Sequence, residues 1–268
     1  MKKVLITGVA GSIGFELARQ LKDEYTVYGV DINESGVHDI RQELGIAARV
    51  GDIRDKQTMN DVFSDFRPHI VYHAAAYKHV PLMEELPEEA VQTNIVGTSN
   101  VLRYSKIYPV EKFVYISSDK AVAPKTIMGG TKMLGELMTR NSGKGYVAVR
   151  FGNVLGSRGS LISIWQGQIN RGEAITVTDN RAERYFMTIE DAVELVIEAG
   201  KIGKGGETIC LDMGKKVNVL SLAKKIVRGT DTKIKEIGLR PGEQLTENLM
   251  LKEEEERAER RGKFYIIR

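Results

Sequence analysis

A glycine-rich segment near the N-terminus constrains the fold of this chain more than any other feature. It reads Thr7-Gly8-Val9-Ala10-Gly11-Ser12-Ile13-Gly14, follows the apolar run Val4–Thr7 and opens a predicted helix. In that context Gly8 permits a tight turn, Gly11 lets the backbone approach a pyrophosphate at a helix N-terminus, and Gly14 lets the helix pack closely on the strand. We therefore predict a dinucleotide site formed by Gly8, Gly11, Ser12, Ile13 and Gly14.

Short apolar runs alternate with helical patterns along the first part of the chain. The predicted strands after Val4–Thr7 are Tyr25–Val30, Ala48–Val50, Ile70–His73, Phe113–Ser117 and Tyr146–Arg150. Continuous apolar runs indicate strands that are covered on both faces. We predict an α/β fold with a Rossmann-type, doubly wound parallel sheet and a smaller C-terminal lobe that binds substrate. Residues 1–150 would form the dinucleotide-binding domain, with residues 185–200 returning to it, and residues 151–268 would form the second lobe.

Further candidates for the dinucleotide site follow the second, third and fourth strands. Asp31 ends the second strand, where a carboxylate binds ribose hydroxyls and repels a 2′-phosphate, so NAD is favoured over NADP. Alternatively, Asp31 caps the helix that follows. The other candidates are Asp52 and Ile53 beside the adenine, and Ala74, Ala75 and Ala76, whose small side chains allow a close approach.

The bulk composition favours a cytoplasmic protein without nucleic-acid or membrane binding. The net charge is +3, and the only cysteine, Cys210, lies in an apolar run. No run approaches the roughly 18 apolar residues of a membrane span, and we expect the N-terminus to be a strand and not a signal peptide. The four histidines lack metal-ligand spacing, so no metal is predicted.

Two other segments carry predictions about helices. The segment from Glu84 to about Tyr108 has helical periodicity, and we expect it to supply a face for a homo-oligomer. Residues 252–261 place glutamates four positions before arginines, which indicates a solvated helix face.

An acid and an amine stand together after the fifth predicted strand. Asp119 and Lys120 follow Phe113–Ser117 and precede Lys132, which lies on the next predicted helix. The carboxyl ends of parallel strands face the ligand crevice, so this pair indicates a catalytic site beside a nicotinamide. The alternative is a strand-end cap and a surface lysine.

Several motifs along the chain carry a resemblance to a known family. The glycine segment, the run from His73 to Ala76, Asn94 and Lys132 resemble the extended short-chain dehydrogenase/reductases. Longer motifs span nearly the whole chain: Ser117–Ala121, Met128–Lys132, Arg150–Ser160, Arg184–Thr188 and Leu239–Glu243. They resemble the polysaccharide-biosynthesis branch of that superfamily, the UDP-N-acetylglucosamine 4,6-dehydratases.

The resemblance implies an internal redox reaction on a UDP-sugar. Tightly held NAD or NADP takes hydride from C4, water leaves across C5 and C6, and hydride returns to C6. Asp119 would be the acid towards the leaving hydroxyl and Lys120 the base at C5, which requires a raised pKa for Asp119 and a lowered pKa for Lys120. Ser118, or Ser117, would hold O4.

The resemblance also assigns binding residues, with one departure from the usual pattern. Lys132 would bind the nicotinamide ribose, but Met128 stands where most of the superfamily has the tyrosine that deprotonates O4, so water, Lys120 or the substrate must replace it. Asn94 would contact the cofactor. The predicted contacts to UDP-sugar are Arg184 and Arg240 on the diphosphate, Asn153 and Arg158 on diphosphate or nucleotide, Glu243 on the uridine ribose, and Lys78 on the sugar or the cofactor edge.

Two other functions remain open at this point. A UDP-hexose 4-epimerase uses the same oxidation at C4 but normally needs the missing tyrosine and has no need of the Asp119-Lys120 pair. A non-catalytic NAD-binding regulator or scaffold would bind the cofactor without converting a sugar nucleotide, and Met128 makes it plausible.

Overall fold

The apolar runs of the N-terminal half form strands of a single sheet whose two faces are both covered by helices. A computed structural model describes residues 1–268 and contains a nine-stranded sheet with the order β14-β15-β11-β6-β5-β4-β1-β2-β3. The strands of the chain are β1 Lys3–Thr7, β2 Thr26–Asp31, β3 Ala47–Val50, β4 Ile70–His73, β5 Lys112–Ile116, β6 Tyr146–Arg150, β7 Asn153–Val154, β8 Ile175–Val177, β9 Glu183–Arg184, β10 Phe186–Met187, β11 Glu207–Leu211, β12 Val217–Asn218, β13 Ile234–Glu236, β14 Glu259–Arg261 and β15 Phe264–Ile267.

Helices cover the sheet on both faces, as the continuous apolar strands predict. The helices are α1 Ser12–Leu21, α2 Glu34–Leu44, α3 Lys56–Phe66, α4 Val80–Glu85, α5 Pro87–Val91, α6 Thr98–Ile107, α7 Ile127–Arg140, α8 Leu161–Asn170, α9 Ile189–Ile202, α10 Val219–Ile226 and α11 Lys252–Arg257. Alternate residues of β1 enter different cores: Val4 and Ile6 pack with α1, α2 and α9, and Leu5 packs with α3 and α6. The predicted doubly wound Rossmann-type fold is thereby confirmed.

The strand order reverses between β1 and β4, which start the two halves of the sheet. All neighbouring strands from β3 to β11 pair in parallel. A parallel sheet opens a crevice at the carboxyl ends of the strands on either side of such a reversal. The glycine segment, the loop after β4 and the tip of β5 therefore meet at one edge.

The sheet takes more of the chain than the sequence patterns indicated. We assigned residues 151–268 to the second lobe except for 185–200, but β11 pairs with β6, and β15 and β14 extend the sheet in antiparallel fashion. The second lobe keeps the short pairs β7–β10, β8–β13 and β9–β12 with α8 and α10. Its own core is centred on fully buried Trp165.

Two predicted helices are broken. The segment from Glu84 to Tyr108 contains α4, α5, a π-helical turn over Gln92–Gly97 and α6. The expected helix over residues 252–261 ends at Arg257, and Glu259–Arg261 forms an edge strand. One of its glutamates, Glu254, is buried and does not face solvent.

Two isolated polar side chains are accounted for by packing. His73 is buried between the hydroxyls of Thr7 and Thr98, and burial lowers the pKa of its imidazole to about 3. The Cys210 thiol is buried, and burial raises its pKa to about 12. Among the helices, none has the length and apolar character needed to cross a bilayer.

Candidate active site

Two adjoining cavities lie at the carboxyl edge of the sheet. A smaller one of about 260 Å³ and a larger one of about 720 Å³ share Gly8, Gly11 and residues of the loop after β4. Most of the residues singled out in the sequence line one or both cavities. The smaller cavity is lined by Gly8, Gly11, Asp31, Asp52, Ile53, Ala74, Ala75, Ala76 and Arg158. The larger is lined by Gly8, Gly11, Ser12, Ile13, Gly14, Ala74, Ala76, Lys78, Ser118, Asp119, Lys120, Met128, Lys132, Asn153, Arg184, Arg240 and Glu243.

The glycine segment has the close backbone contacts that its sequence implies. Gly8 has a φ of 73°, and a Cβ there would lie 2.5 Å from the amide nitrogen of Ala75. A Cβ on Gly14 would lie 2.1 Å from the carbonyl oxygen of Gly8. No side chain caps the N-terminus of α1, so its first amides are free to bind an anion. These residues fit a dinucleotide.

Asp31 lies in the smaller cavity but does not cap the following helix. Its carboxylate accepts hydrogen bonds from the amides of Ala10, at 2.9 Å, and Asn33, at 2.9 Å. The cap of α2 is Asn33, whose side chain accepts from Gly36. The amides fix the carboxylate at the end of β2, where it faces the cavity.

Two of the predicted contacts are placed differently from expectation. Asn94 lines neither cavity: its fully buried amide bonds to both backbone groups of Tyr77 and to the Thr131 hydroxyl, so it holds the loop after β4 against α7. Arg158, expected on the substrate, lines the smaller cavity with Asp31. Its amide donates to the Ser12 hydroxyl at 3.0 Å, and its carbonyl accepts from Lys78 Nζ at 2.8 Å.

Asp119 and Lys120 meet in the larger cavity directly after β5. Lys120 Nζ lies 3.1 Å from Asp119 Oδ1, which also accepts from the Ser118 hydroxyl at 2.9 Å. Asp119 is buried, and its Oδ2 has no donor from the protein. A glycine at position 152 leaves the space beside this oxygen, because a Cβ there would lie 3.1 Å from it.

A third ionisable group, which sequence reasoning missed, joins this pair. Glu247 is buried, and its Oε2 lies 3.1 Å from Lys120 Nζ and 3.4 Å from Arg184 Nε. It belongs to the loop between β13 and α11, where no periodic pattern or neighbouring motif marks it as a site residue.

The pKa directions within this cluster are opposite to those expected. Burial lowers the pKa of Lys120, but the facing carboxylates of Asp119 and Glu247 outweigh burial and leave it above its ordinary value. Burial raises the pKa of Asp119, but Lys120 and hydrogen bonds hold it below its ordinary value. Glu247 takes the raised pKa, through burial and the nearby Asp119. Asp119 as the acid and Lys120 as the neutral base therefore stay a prediction, which requires these two pKa values to move when substrate and cofactor bind.

Lys132 and Met128 lie on the same side of the larger cavity, on α7. Lys132 Nζ donates to the carbonyl of Ile116 at 2.5 Å and lies 4.3 Å from the centre of the Tyr115 ring. Burial lowers the pKa of Lys132 to about 7. Met128 is buried against Met83 and Ala90 and offers no proton.

The arginines and polar residues of the second lobe are not equally free to bind a ligand. All the guanidinium donors of Arg184 face protein groups: the carbonyls of Glu183, Gln244 and Leu245, and the carboxylates of Glu243 and Glu247. Arg184 and Glu243 therefore build the loop that carries Glu247. By contrast, the side chain of Arg240 is exposed and has no protein partner, and Asn153 is held at the cavity by Tyr185.

A buried ion network lies behind the tip of β5. Arg150 pairs with Glu136, at 2.6 Å, and with Glu254, at 2.8 Å, and also donates to the carbonyl of Leu249. Ser117, which also lines the larger cavity, donates its hydroxyl to Glu136. The network ties β5, β6, α7 and the segment before α11 together.

The chain matches known proteins over most of its length. The model of a family described as "Polysaccharide biosynthesis protein" matches residues 4–268. The capsular polysaccharide biosynthesis protein CapD of Staphylococcus aureus is 44% identical over 94% of this chain and 46% of its own length, so the chain spans under half of that relative. A UDP-glucose 4-epimerase of Rickettsia bellii is 35% identical over 99% of this chain and 82% of its own length. The X-ray structure of Pen from Bacillus thuringiensis covers 99% of this chain and 87% of its own with a TM-score of 0.91 and 36% identity.

Fold, cleft and relatives together place the chain in the extended short-chain dehydrogenase/reductase class. Within that class the chain belongs to the polysaccharide-biosynthesis family, as its motifs predicted.

Proposed function

We propose that the protein catalyses the NAD(P)-dependent 4,6-dehydration of a UDP-N-acetylhexosamine, UDP-N-acetylglucosamine, for the synthesis of a surface polysaccharide or glycan. The observation that carries this proposal is the Asp119-Lys120 pair in the cavity that also contains the glycine segment and Lys132. An elimination needs a proton acceptor and a proton donor near one carbon–carbon bond, whereas an epimerisation does not.

The proposed reaction needs a proton acceptor and a proton donor beside the sugar in the larger cavity. A bound nicotinamide supplies the oxidation at C4 and the later reduction at C6. The ketone at C4 makes the hydrogen at C5 acidic, and the site must then move one proton from C5 and give one to the C6 hydroxyl. We assign Asp119 to proton donation to the C6 hydroxyl and Lys120 to proton acceptance at C5, roles that require binding of the cofactor and substrate to raise the pKa of Asp119 and lower that of Lys120.

The remaining residues support binding of a cofactor and a UDP-sugar. We assign Lys132, which lines the larger cavity, to the nicotinamide ribose, and Ser118, whose hydroxyl bonds Asp119, to O4. Asp31 favours NAD over NADP because a 2′-phosphate would meet a carboxylate. Arg240, with its free guanidinium, is our first candidate for the diphosphate, and Lys78 is a second cation in the same cavity. Arg184 and Glu243 act by shaping the loop around that cavity.

We also propose a homo-oligomer formed through α4, α5 and α7. These helices pack against one another and expose a set of large apolar side chains: Leu82, Leu86, Val91, Leu134 and Leu137. An exposed apolar face of this kind is typical of a protein–protein contact. Leu86 and Val91 of this set lie in the segment from Glu84 to Tyr108, for which the sequence predicted an oligomer contact, and that contact stays a prediction.

The experiment is incubation of the protein with NAD and UDP-N-acetylglucosamine, followed by mass spectrometry. The proposal predicts a product lighter by one water, and a Lys120→Met variant that binds NAD but forms no such product. A product of unchanged mass and altered stereochemistry would instead show 4-epimerisation. The similarity to the Rickettsia epimerase favours that second candidate.

A further inference from the structure

Glu247 reaches the Asp119-Lys120 pair from a distant part of the chain. Its Oε2 lies 3.1 Å from Lys120 Nζ, across a sequence separation of 127 residues, and both residues line the larger cavity. Lys120 Nζ thus lies between two carboxylate oxygens, since Asp119 Oδ1 is also 3.1 Å away. An ammonium group held by two carboxylates is fixed in position and keeps its proton.

Arg184 fixes the position of Glu247. Its Nε lies 3.4 Å from the same Glu247 oxygen that contacts Lys120, and its terminal nitrogens donate to the carbonyls of Gln244 and Leu245. The side chains of Arg184 and Glu247 are both 9% exposed. Burial raises the pKa of Glu247, and its two cationic partners oppose that effect. Glu247 is therefore a buried group that the loop holds against Lys120, and not a side chain free in solvent.

The charges around Lys120 do not suit a proton acceptor while the site is unliganded. Burial would lower the pKa of Lys120, but Asp119 and Glu247 hold it above its ordinary value. Lys78 lines the same cavity as a further cation, and burial and the charge of Lys120 lower its pKa. The proposed reaction needs a neutral Lys120 at C5, so a carboxylate must withdraw when substrate binds. Asp119 is the adjacent residue and has its own role in the reaction, whereas Glu247 lies on a separate loop.

The loop that carries Glu247 also carries proposed contacts to UDP. Arg240 and Glu243 precede Glu247 between β13 and α11 and line the same cavity. Glu243 accepts from Arg184 Nη2 at 3.1 Å, so the proposed ribose contact and Glu247 share one guanidinium group. A UDP-sugar that binds Arg240 and Glu243 therefore acts on the loop and the arginine that place Glu247.

We propose that Glu247 is a positioning residue for Lys120: its carboxylate holds the Lys120 ammonium beside Asp119 in the unliganded site and gives it up when the loop over residues 240–247 binds UDP. Lys120 then loses its ammonium proton to solvent in the cavity, and its free electron pair can accept the proton of C5. This inference rests on the proposed dehydration and keeps Asp119 as the acid and Lys120 as the base.

The test measures the reactivity of the Lys120 amine and needs no turnover. The full chain with bound NAD is treated with dilute acetic anhydride at pH 9, and acetylation of Lys120 is followed by peptide mass spectrometry against the exposed Lys56. The Lys120 side chain is 26% exposed, so a small reagent reaches it, and an amine reacts in its neutral form. Loss of an adjacent opposite charge lowers the pKa of a lysine by roughly 1–3 pH units, so Glu247→Gln should acetylate about 10–1,000-fold faster at Lys120. Glu253→Gln, an exposed substitution on α11 with the same charge change, is the control.

UDP tests the release of Lys120. UDP alone leaves the sugar part of the cavity open, so at saturation it should raise acetylation of Lys120 in the wild type towards the rate of Glu247→Gln. The same addition should have little effect in the variant. An unchanged Lys120 rate in Glu247→Gln, or no effect of saturating UDP on the wild type, would overturn the inference.

The pH dependence of turnover separates this role from a purely structural one. In the wild type kcat/KM should rise with pH as Lys120 loses its proton, and in Glu247→Gln this rise should lie roughly 1–3 pH units lower. Glu247→Asp, which keeps a carboxylate, should lie near the wild type. A structural role alone would lower kcat/KM at every pH without moving the rise. If the wild type forms no dehydrated product, the proposed function fails, and the amine measurement still decides the role of Glu247.

Discussion

The buried arginine behind the active-site strand offers the sharpest test of how the fold supports the site. In Arg150→Met the side chain keeps a similar length but loses its charge, and Glu136 and Glu254 are left as buried carboxylates without their cation. Breaking a buried ion pair on one side costs about 3–5 kcal/mol. For a chain of this size each kcal/mol lowers the midpoint of thermal unfolding by about 2–4 °C. We therefore expect Tm to fall by roughly 6–20 °C.

The assay is thermal unfolding followed by circular dichroism, with two comparison variants. Arg171→Met removes an ion pair of similar geometry from an exposed site, and we expect its Tm to be almost unchanged. The triple variant Arg150→Met, Glu136→Gln, Glu254→Gln removes the stranded charges and should recover much of the loss. If Arg150→Met unfolds within a degree of the wild type, or if the triple variant is no more stable than the single one, the reasoning is wrong.

Three other outcomes are expected. Gly11→Ala places a Cβ 3.2 Å from the Gly8 carbonyl at the proposed pyrophosphate position, so calorimetry should show NAD affinity reduced at least tenfold, about 1.4 kcal/mol. The control is Gly130→Ala, whose Cβ meets nothing within 4 Å and should leave the affinity unchanged. Lys132→Met should raise Tm at pH 7, because burial lowers the pKa of the folded wild-type lysine to about 7, against 10.5 in the unfolded chain. Between these two pH values the unfolded state binds more protons than the folded state, which destabilises the folded wild type. Stability of the wild type then rises with pH across that window, so the advantage of the variant should shrink as pH rises; a constant difference would contradict the burial argument. Leu134→Asp with Leu137→Asp should convert an oligomer to monomers in size-exclusion chromatography, and an unchanged elution volume would remove α7 from the contact.

Local sequence patterns predicted the first half of the fold because each element there is encoded in contiguous residues. Gly8 lies between β1 and α1, and Gly14 lies in the first turn of α1. The strand ending at His73 was predicted with its observed bounds. The later strands escaped assignment for a different reason. The run Ile209-Cys210-Leu211 looks like any buried strand, and only pairing with β6 and β15 decides which sheet it joins.

In the site, too, contacts between residues adjacent in the chain could be predicted, and contacts between residues distant in the chain could not. Asp119 and Lys120 are adjacent in the chain, so their proximity could be predicted, but their protonation depends on Glu247, which arrives from a loop without a periodic pattern. Arg184 was expected to bind the diphosphate of a ligand because the guanidinium group donates hydrogen bonds to phosphate oxygens. Its donors are instead taken by loop carbonyls, and the conformation of that loop cannot be deduced from its composition.

The hydrogen bonds of Arg158 bear on how readily a bound cofactor would exchange. Its peptide groups join Ser12 of the glycine segment to Lys78 of the loop after β4 beside the smaller cavity. In the proposed reaction the cofactor is regenerated within every catalytic cycle and gains nothing by leaving, and these two hydrogen bonds hold the two segments together. We expect the dinucleotide to travel with the polypeptide through purification, as a resident group and not as a second diffusing substrate.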